Sequence, residues 1–268
     1  MPRADRTSDE ATPQTATSRL SDLRPGNRRK AAAPTVVLLV RHGATTTTGR
    51  ELPGRAPGLH LSDAGREQAE RVATRIARTA GLDPQATPDG SGAGTDGETA
   101  GRRSKGSSAP KVAAVYASPL ERTRETAAPI ARLLGRDVEV DEGLVELDVG
   151  DWTGLELKAA RKRKEWATIQ RYPSGFTFPG GESFVAMQAR ITGTLDRLRA
   201  AHPGQAIVAV SHADPIRAAV AHAMGTHLDL FQRVVVSPCS LTAIAYTDEG
   251  PTVLTVNDTG DSVPLVPS

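Results

Sequence analysis

The sequence is short of the residues that several protein classes need. It has one cysteine, Cys239, so no disulfide can form within the chain and no zinc site of several cysteines can be built. Aromatic residues make up only 3%, so the expected core is aliphatic, made of Ala, Val, Leu and Ile. No apolar run approaches the ~18 residues of a membrane-spanning helix, and no apolar stretch follows the basic start as in a signal peptide. Net charge is also lacking, since 33 Lys and Arg against 31 Asp and Glu leave +2. That balance does not mark a nucleic-acid binder. The expectation is a soluble protein of the reducing cytosol.

Glycine and proline, at 25 and 19, are raised but unevenly spread among the 268 residues. Residues 1–34 are rich in Arg, Ser, Thr, Ala and Pro without periodicity, and they predict a disordered tail. The tail holds seven basic and four acidic residues. That excess reads as a solvated extension, or as a weak electrostatic handle for an acidic surface. A second polar segment, about 82–110, predicts a structureless insertion, with an interdomain linker as the alternative. Without both segments about 205 residues remain, an ordinary size for one domain, here 35–268 with the insertion inside it.

The rest alternates. Thr35–Val40, Val112–Ala117 and Ala206–Val210 are apolar runs of strand length, and 240–246 and 253–256 read as later strands. Helical patterns occupy 61–80, with Ser62 as N-cap and Gly81 as the stop, and 182–201, ended by Pro203-Gly204. Ser118-Pro119-Leu120-Glu121 predicts a helix start with a capping box, and Asp214-Pro215 predicts another start. Continuous apolar strands between helices imply an α/β fold, a three-layer α/β/α sandwich around a mostly parallel sheet.

In such sheets ligands bind beyond the carboxyl ends of the strands. The first strand runs into Arg41-His42-Gly43, the second into Ser118-Pro119 with Arg122 four residues on, and a later one into Ser211-His212. Each piece alone reads as readily as a surface turn or a solvated helix residue. Together they place two arginines and two imidazoles along one sheet edge near helix N-termini, a setting suited to a phosphoryl group. His60, His202, His222 and His227 show no such placement.

Six segments carry a resemblance: LLVRHGAT (38–45), LSDAGREQA (61–69), YASPLERTRETA (116–127), LVELDVGDWTG (144–154), FPGGES (178–183) and AVSHADPI (209–216). In this order they resemble the histidine phosphatase superfamily, the group that includes cofactor-dependent phosphoglycerate mutase. HLDLFQR (227–233) with VNDTG (256–260) further resembles an actinobacterial, phosphomutase-like branch.

The resemblance implies a phosphoglycerate mutase-like fold and a metal-independent phosphatase without a cofactor, acting on a small phosphate ester. It assigns His42 as the nucleophile that becomes a phosphohistidine. Arg41, Arg122 and His212 are then the phosphate-binding residues, and Glu146 is the general acid, with Asp148 as the other carboxylate to weigh. Thr48, Gly54, Arg55 and Ala213 are expected near the substrate. Thr48 stands where family members often have Asn, Ala213 where they have Gly, and Leu147 where mutases have Arg. The basic residues between 158 and 164 read as a solvated helix face or as the cluster that would hold a substrate carboxylate. The alternatives are a mutase that returns phosphate to a bound product, and a non-catalytic binder of phosphorylated ligands. The sequence leaves open which ester is used and the oligomeric state.

Overall fold

The computed structural model describes residues 32–83, 102–103 and 111–260. In chain order the elements are β1 (Thr35–Arg41), β2 (Glu51–Leu52), α1 (Asp63–Thr79), β3 (Leu82–Asp83), β4 (Arg102–Arg103), β5 (Val112–Ala117), α2 (Glu121–Leu134) and β6 (Val138–Val140). They continue with β7 (Leu155–Glu156), α3 (Leu157–Ala160), α4 (Trp166–Arg171), α5 (Phe184–Ala201), β8 (Ala206–Ser211), α6 (Ala213–Ala223), β9 (Leu241–Thr247) and β10 (Gly250–Asp258). The expected tail falls, apart from residues 32–34, outside the described residues. Of the expected insertion, Leu82–Asp83 and Arg102–Arg103 are described, and they pair antiparallel.

Six strands form one sheet in the order β10-β9-β1-β8-β5-β6. β1, β8, β5 and β6 run parallel, and β9 runs against both its neighbours. Side chains alternate between the faces, as the two-residue period of a strand requires. Val37 and Leu39 of β1, Ile207 and Ala209 of β8, and Ala114 and Tyr116 of β5 share one core cluster. Leu38, Val40, Val208, Val210, Val115 and Ala117 belong to the other. Helices α1 and α2 cover the second face, while α5 and α6 cover the first. The result is the expected three-layer α/β/α sandwich around a mostly parallel sheet.

The aliphatic expectation holds on one face only. The cluster under α1 and α2 contains no aromatic side chain. The opposite cluster gathers Trp152, Phe178, Phe184 and Phe231, with Phe176 packed against it. Successive rings meet at centroid distances of 5.0–6.5 Å. The reason is geometric. Between β6 and α5 the chain has only turns, short helices and the two-residue strand β7, and large rings fill the uneven volume that longer elements would fill with Val and Leu.

Helix starts show where local pattern and tertiary need diverge. Ser62 caps α1 as expected, accepting from the Gly65 N–H at 3.1 Å, a cap worth ~1 kcal/mol. Ser183 caps α5 in the same way through Ala186, so that helix begins at Phe184 rather than at Glu182. The capping box expected at Ser118 is absent. Helix α2 begins at Glu121 after Leu120, without a side-chain cap, and Pro119 lies before the helix. The Ser118 hydroxyl is engaged elsewhere. Helix α6 begins at Ala213, with Asp214 and Pro215 inside its first turn. The basic residues 158–164 are exposed, but only Leu157–Ala160 is helical there, and the Arg163 guanidinium sits 4.7 Å over the Trp152 ring.

Candidate active site

Three neighbouring parallel strands end side by side. Arg41 is the last residue of β1 and is paired with Ser211, the last of β8, while Ala117 ends β5 opposite Val210. The ladder continues one step further. The His42 N–H donates to the Ser211 carbonyl at 3.0 Å, and the Ser118 N–H donates to the Val210 carbonyl at 3.0 Å. Strand register therefore sets His42, His212 and Ser118 next to one another. The two imidazole centroids are 5.1 Å apart, edge to face.

His42 is buried, and its Nδ1 lies 2.8 Å from the Gly43 carbonyl. A carbonyl only accepts, so Nδ1 carries the hydrogen and Nε2 presents the lone pair. Burial, followed by the Arg41 and Arg122 charges, holds this imidazole well below its ordinary pKa, so it is neutral near pH 7. The loop is fixed from both sides. The Gly43 N–H donates to the Thr126 hydroxyl at 3.0 Å. A Cβ on Gly43 would lie 2.5 Å from the Gly65 carbonyl oxygen, and one on Gly65 would lie 2.0 Å from that of Ala44. Two glycines thus let the start of α1 press against the His42 loop.

Of the two cations, Arg122 is buried and Arg41 half-buried. Arg122, in the first turn of α2, has no exposed surface, and its Nη2 donates to the Gly54 carbonyl at 2.8 Å. Gly54 adopts φ +49°, and a Cβ there would meet Val149 at 2.7 Å. The Arg41 Nη1 donates to the Val236 carbonyl at 2.6 Å. Among the described residues, Nε and Nη1 of Arg122, Nε of Arg41 and Nδ1 of His212 have no partner. Burial leads the causes that lower both arginines, and it leads again at His212, which lies well below its ordinary value and is neutral near pH 7. Three buried guanidinium nitrogens left without acceptors suit an anion with several oxygens.

Glu146 completes the group. Its Oε2 lies 3.8 Å from Nδ1 of His212, and its Oε1 accepts from the Leu147 N–H at 2.9 Å. Burial first, and the Asp214 charge second, raise this carboxyl to about 7, against the pull of that N–H, Arg122 and Arg41. Asp148 lies in a different setting, accepting from the Gly150 N–H at 2.9 Å and facing Arg55 at 3.6 Å.

The remaining expected residues serve the site's walls. The Thr48 hydroxyl accepts from the Thr45 N–H at 2.9 Å and so folds its own loop. Ala213 opens α6, where the first N–H groups have no helical partner. Arg55 donates to the Glu146 carbonyl at 2.8 Å and to Glu182 at 3.0 Å.

Sequence reasoning assigned no role to Arg190. It forms a bidentate pair with Glu182 at 2.9 and 2.8 Å and also donates to the Gly143 and Val145 carbonyls. Arg55, Glu182 and Arg190 together grip the backbone on both sides of Glu146. Nothing in the sequence separates Arg190 from the other helix arginines. Glu182 belongs to the FPGGES segment that carries the resemblance, and the structure adds its pairing with Arg55 and Arg190. Among the described residues, no group of three or more His, Cys, Asp or Glu is arranged to hold a metal ion, and no helix is long and apolar enough to cross a membrane.

Known proteins resemble this chain in sequence and in fold. The bifunctional protein Rv2228c of Mycobacterium tuberculosis is 31% identical over 255 residues, 94% of this chain. The chain spans 61% of that relative's length. Phosphoserine phosphatase 1 of Hydrogenobacter thermophilus is 29% identical over 147 residues, covering 54% of this chain and 70% of its own. Among solved structures, mycobacterial hydrolase 2 superposes with a TM-score of 0.67 at 21% identity, covering 87% of this chain and 94% of that one. Phosphoserine phosphatase of Entamoeba histolytica in complex with 3-phosphoglyceric acid gives 0.65 at 20% identity, covering 84% and 97%. These structures share the fold. The family model for the histidine phosphatase superfamily (branch 1) matches residues 37–86 and 97–259, and the chain belongs to that superfamily.

Proposed function

We propose that the protein hydrolyses a small phosphate monoester through a phosphohistidine on His42. The observation that carries this reading is the pairing of two protonation states. Nε2 of His42 presents a lone pair, while the Glu146 carboxyl, raised to about 7, keeps a proton to give. In the first step Nε2 attacks phosphorus and the ester P–O bond breaks. Glu146 passes its proton to the departing alkoxide. In the second step the Glu146 carboxylate takes a proton from water, the hydroxide oxygen bonds to phosphorus, and the P–N bond breaks to release inorganic phosphate.

Throughout, the phosphoryl oxygens carry spread negative charge. The spare guanidinium N–H groups of Arg41 and Arg122 oppose that charge without reorganising, and the unpartnered Nδ1 of His212 lies beside them. Guanidinium groups supply the positive charge here, so turnover should survive a chelator. The unassisted N–H groups at the start of α6, Ala213 among them, favour the same anion. Leu147 supports hydrolysis over a mutase reaction, because it packs in the core where mutases carry Arg.

The test is a quench of the protein with a radiolabelled ester. An acid-labile, base-stable phosphoprotein should form, and His42→Ala should lack both this species and release of phosphate. Turnover by His42→Ala would overturn the mechanism. Isomerisation of a phosphoglycerate without free phosphate would instead favour the mutase, and loss of activity in EDTA would remove the metal-free reading.

A further inference from the structure

The hydroxyl of Ser118 lies 2.8 Å from Nε2 of His212, and both side chains are fully buried. Either atom could supply the hydrogen, and the count of donors decides. The Leu120 N–H already points at the Ser118 oxygen at 3.4 Å. Among the described residues, Nε2 of His212 is the one acceptor in reach of the Ser118 hydrogen. If Nε2 carried the proton, that buried hydroxyl hydrogen would have no acceptor, a costly arrangement. With Ser118 as donor, its hydrogen reaches an acceptor, its oxygen still accepts from the Leu120 N–H, and the imidazole proton sits on Nδ1. Nδ1 is the atom left without a partner, and it faces Glu146 at 3.8 Å.

We propose that Ser118 is a positioning residue that fixes His212 as its Nδ1–H tautomer and so aims an N–H donor at a phosphoryl oxygen. This rests on the phosphoryl-transfer reading above. A neutral imidazole has only one N–H, so its tautomer decides whether it donates to the phosphate or faces it with a lone pair. The two site histidines then carry their hydrogen on the same ring atom and act oppositely. His42 is tethered at Nδ1 by an acceptor, the Gly43 carbonyl, and shows the site its lone pair. His212 is tethered at Nε2 by a donor, the Ser118 hydroxyl, and shows the site its hydrogen. The chemical character of each tether separates the nucleophile from the stabiliser.

The experiment uses the full chain with 15N-labelled histidine in phosphate-free buffer at pH 7.5. Long-range proton–nitrogen correlation spectra distinguish the two tautomers, and the His212 signals are assigned by their loss in His212→Asn. The wild type should show His212 as Nδ1–H. Ser118→Ala should convert it to Nε2–H or a mixture and lower kcat about a hundredfold, as for loss of one preorganised donor, with little change in KM. Ser118→Thr keeps the hydroxyl and should keep the wild-type tautomer.

A wild-type Nε2–H signal, or an unchanged kcat in Ser118→Ala, would overturn the proposal. If Ser118→Ala does not fold, the wild-type spectrum alone decides. An active His42→Ala beside an Nδ1–H signal for His212 would refute the phosphohistidine reading and leave the tautomer assignment standing.

Discussion

Replacing Glu146 with glutamine should cost activity and add stability, with the stability gain confined to one side of a pH window. A free glutamate ionises near 4.5, and in the folded chain burial and Asp214 raise Glu146 to about 7. Below the lower value the group is protonated in both states and carries no penalty. Between the two values the unfolded chain releases a proton that the folded chain retains. Folding of the wild type then weakens by about 1.4 kcal/mol per pH unit, reaching about 3 kcal/mol above pH 7. Glutamine is neutral in both states, and its oxygen can still accept from the Leu147 N–H.

The variant should therefore match the wild type near pH 4 and exceed it by about 3 kcal/mol at pH 8.5, or about 6–12 °C in Tm for a chain of this size. Melts of both proteins from pH 4 to 8.5 measure this, in buffer without phosphate because a bound anion would add its own stabilisation. Parallel pH curves, or a variant less stable at pH 8.5, would refute the argument. The same variant should lose about 10²–10⁴-fold in kcat on alkyl phosphates. On p-nitrophenyl phosphate, whose leaving group needs no proton, the first release of nitrophenolate should stay fast and appear as a burst, followed by slow turnover because glutamine cannot take the proton from water.

Other outcomes follow from neighbouring contacts. In the wild type, kcat for an alkyl phosphate should fall as pH rises through about 7, because Glu146 loses the proton it must donate; a flat profile to pH 9 would contradict its role. Arg122→Met should reduce kcat/KM by at least about a hundredfold without lowering Tm in phosphate-free buffer, since a fully buried guanidinium with one recorded hydrogen bond is poorly compensated. A Tm drop of many degrees would show that the charge serves the fold. Gly43→Ala should destabilise by about 1–3 kcal/mol, because its Cβ would meet a carbonyl oxygen at 2.5 Å; denaturant titration would show it. Glu182→Gln leaves Arg55 and Arg190 less neutralised beside Glu146, so the alkaline limb of the rate profile should move to lower pH. A limb that stays put would mean the clamp only holds backbone.

Legibility in the sequence followed the range of the interactions. β1, β5 and β8 were readable because a strand buried on both faces needs an unbroken apolar run, and each ran directly into a site residue. Ser62 was readable because its partner, Gly65, is three residues away. Ser118 misled for the opposite reason. The helix begins only at Glu121, with Leu120 at the cap position, and the hydroxyl meets His212, 94 residues away, which no local pattern registers. Arg190 was invisible because its carbonyl partners, Gly143 and Val145, come together only when α5 docks. The choice of Glu146 among several nearby acids came from resemblance. Burial, which the sequence does not show, is what separates it physically from Asp148.

The direction of the strands has a practical corollary. Because β1, β8 and β5 are parallel and carry the chemistry at their carboxyl ends, their amino ends lie at the opposite rim of the sheet. The chain enters β1 at Thr35 and β5 at Val112 on that rim. Helix α1 runs back to it before β3 begins at Leu82. Chain attached ahead of Thr35 or of Val112 therefore joins the sheet at the rim away from His42, Arg122 and His212.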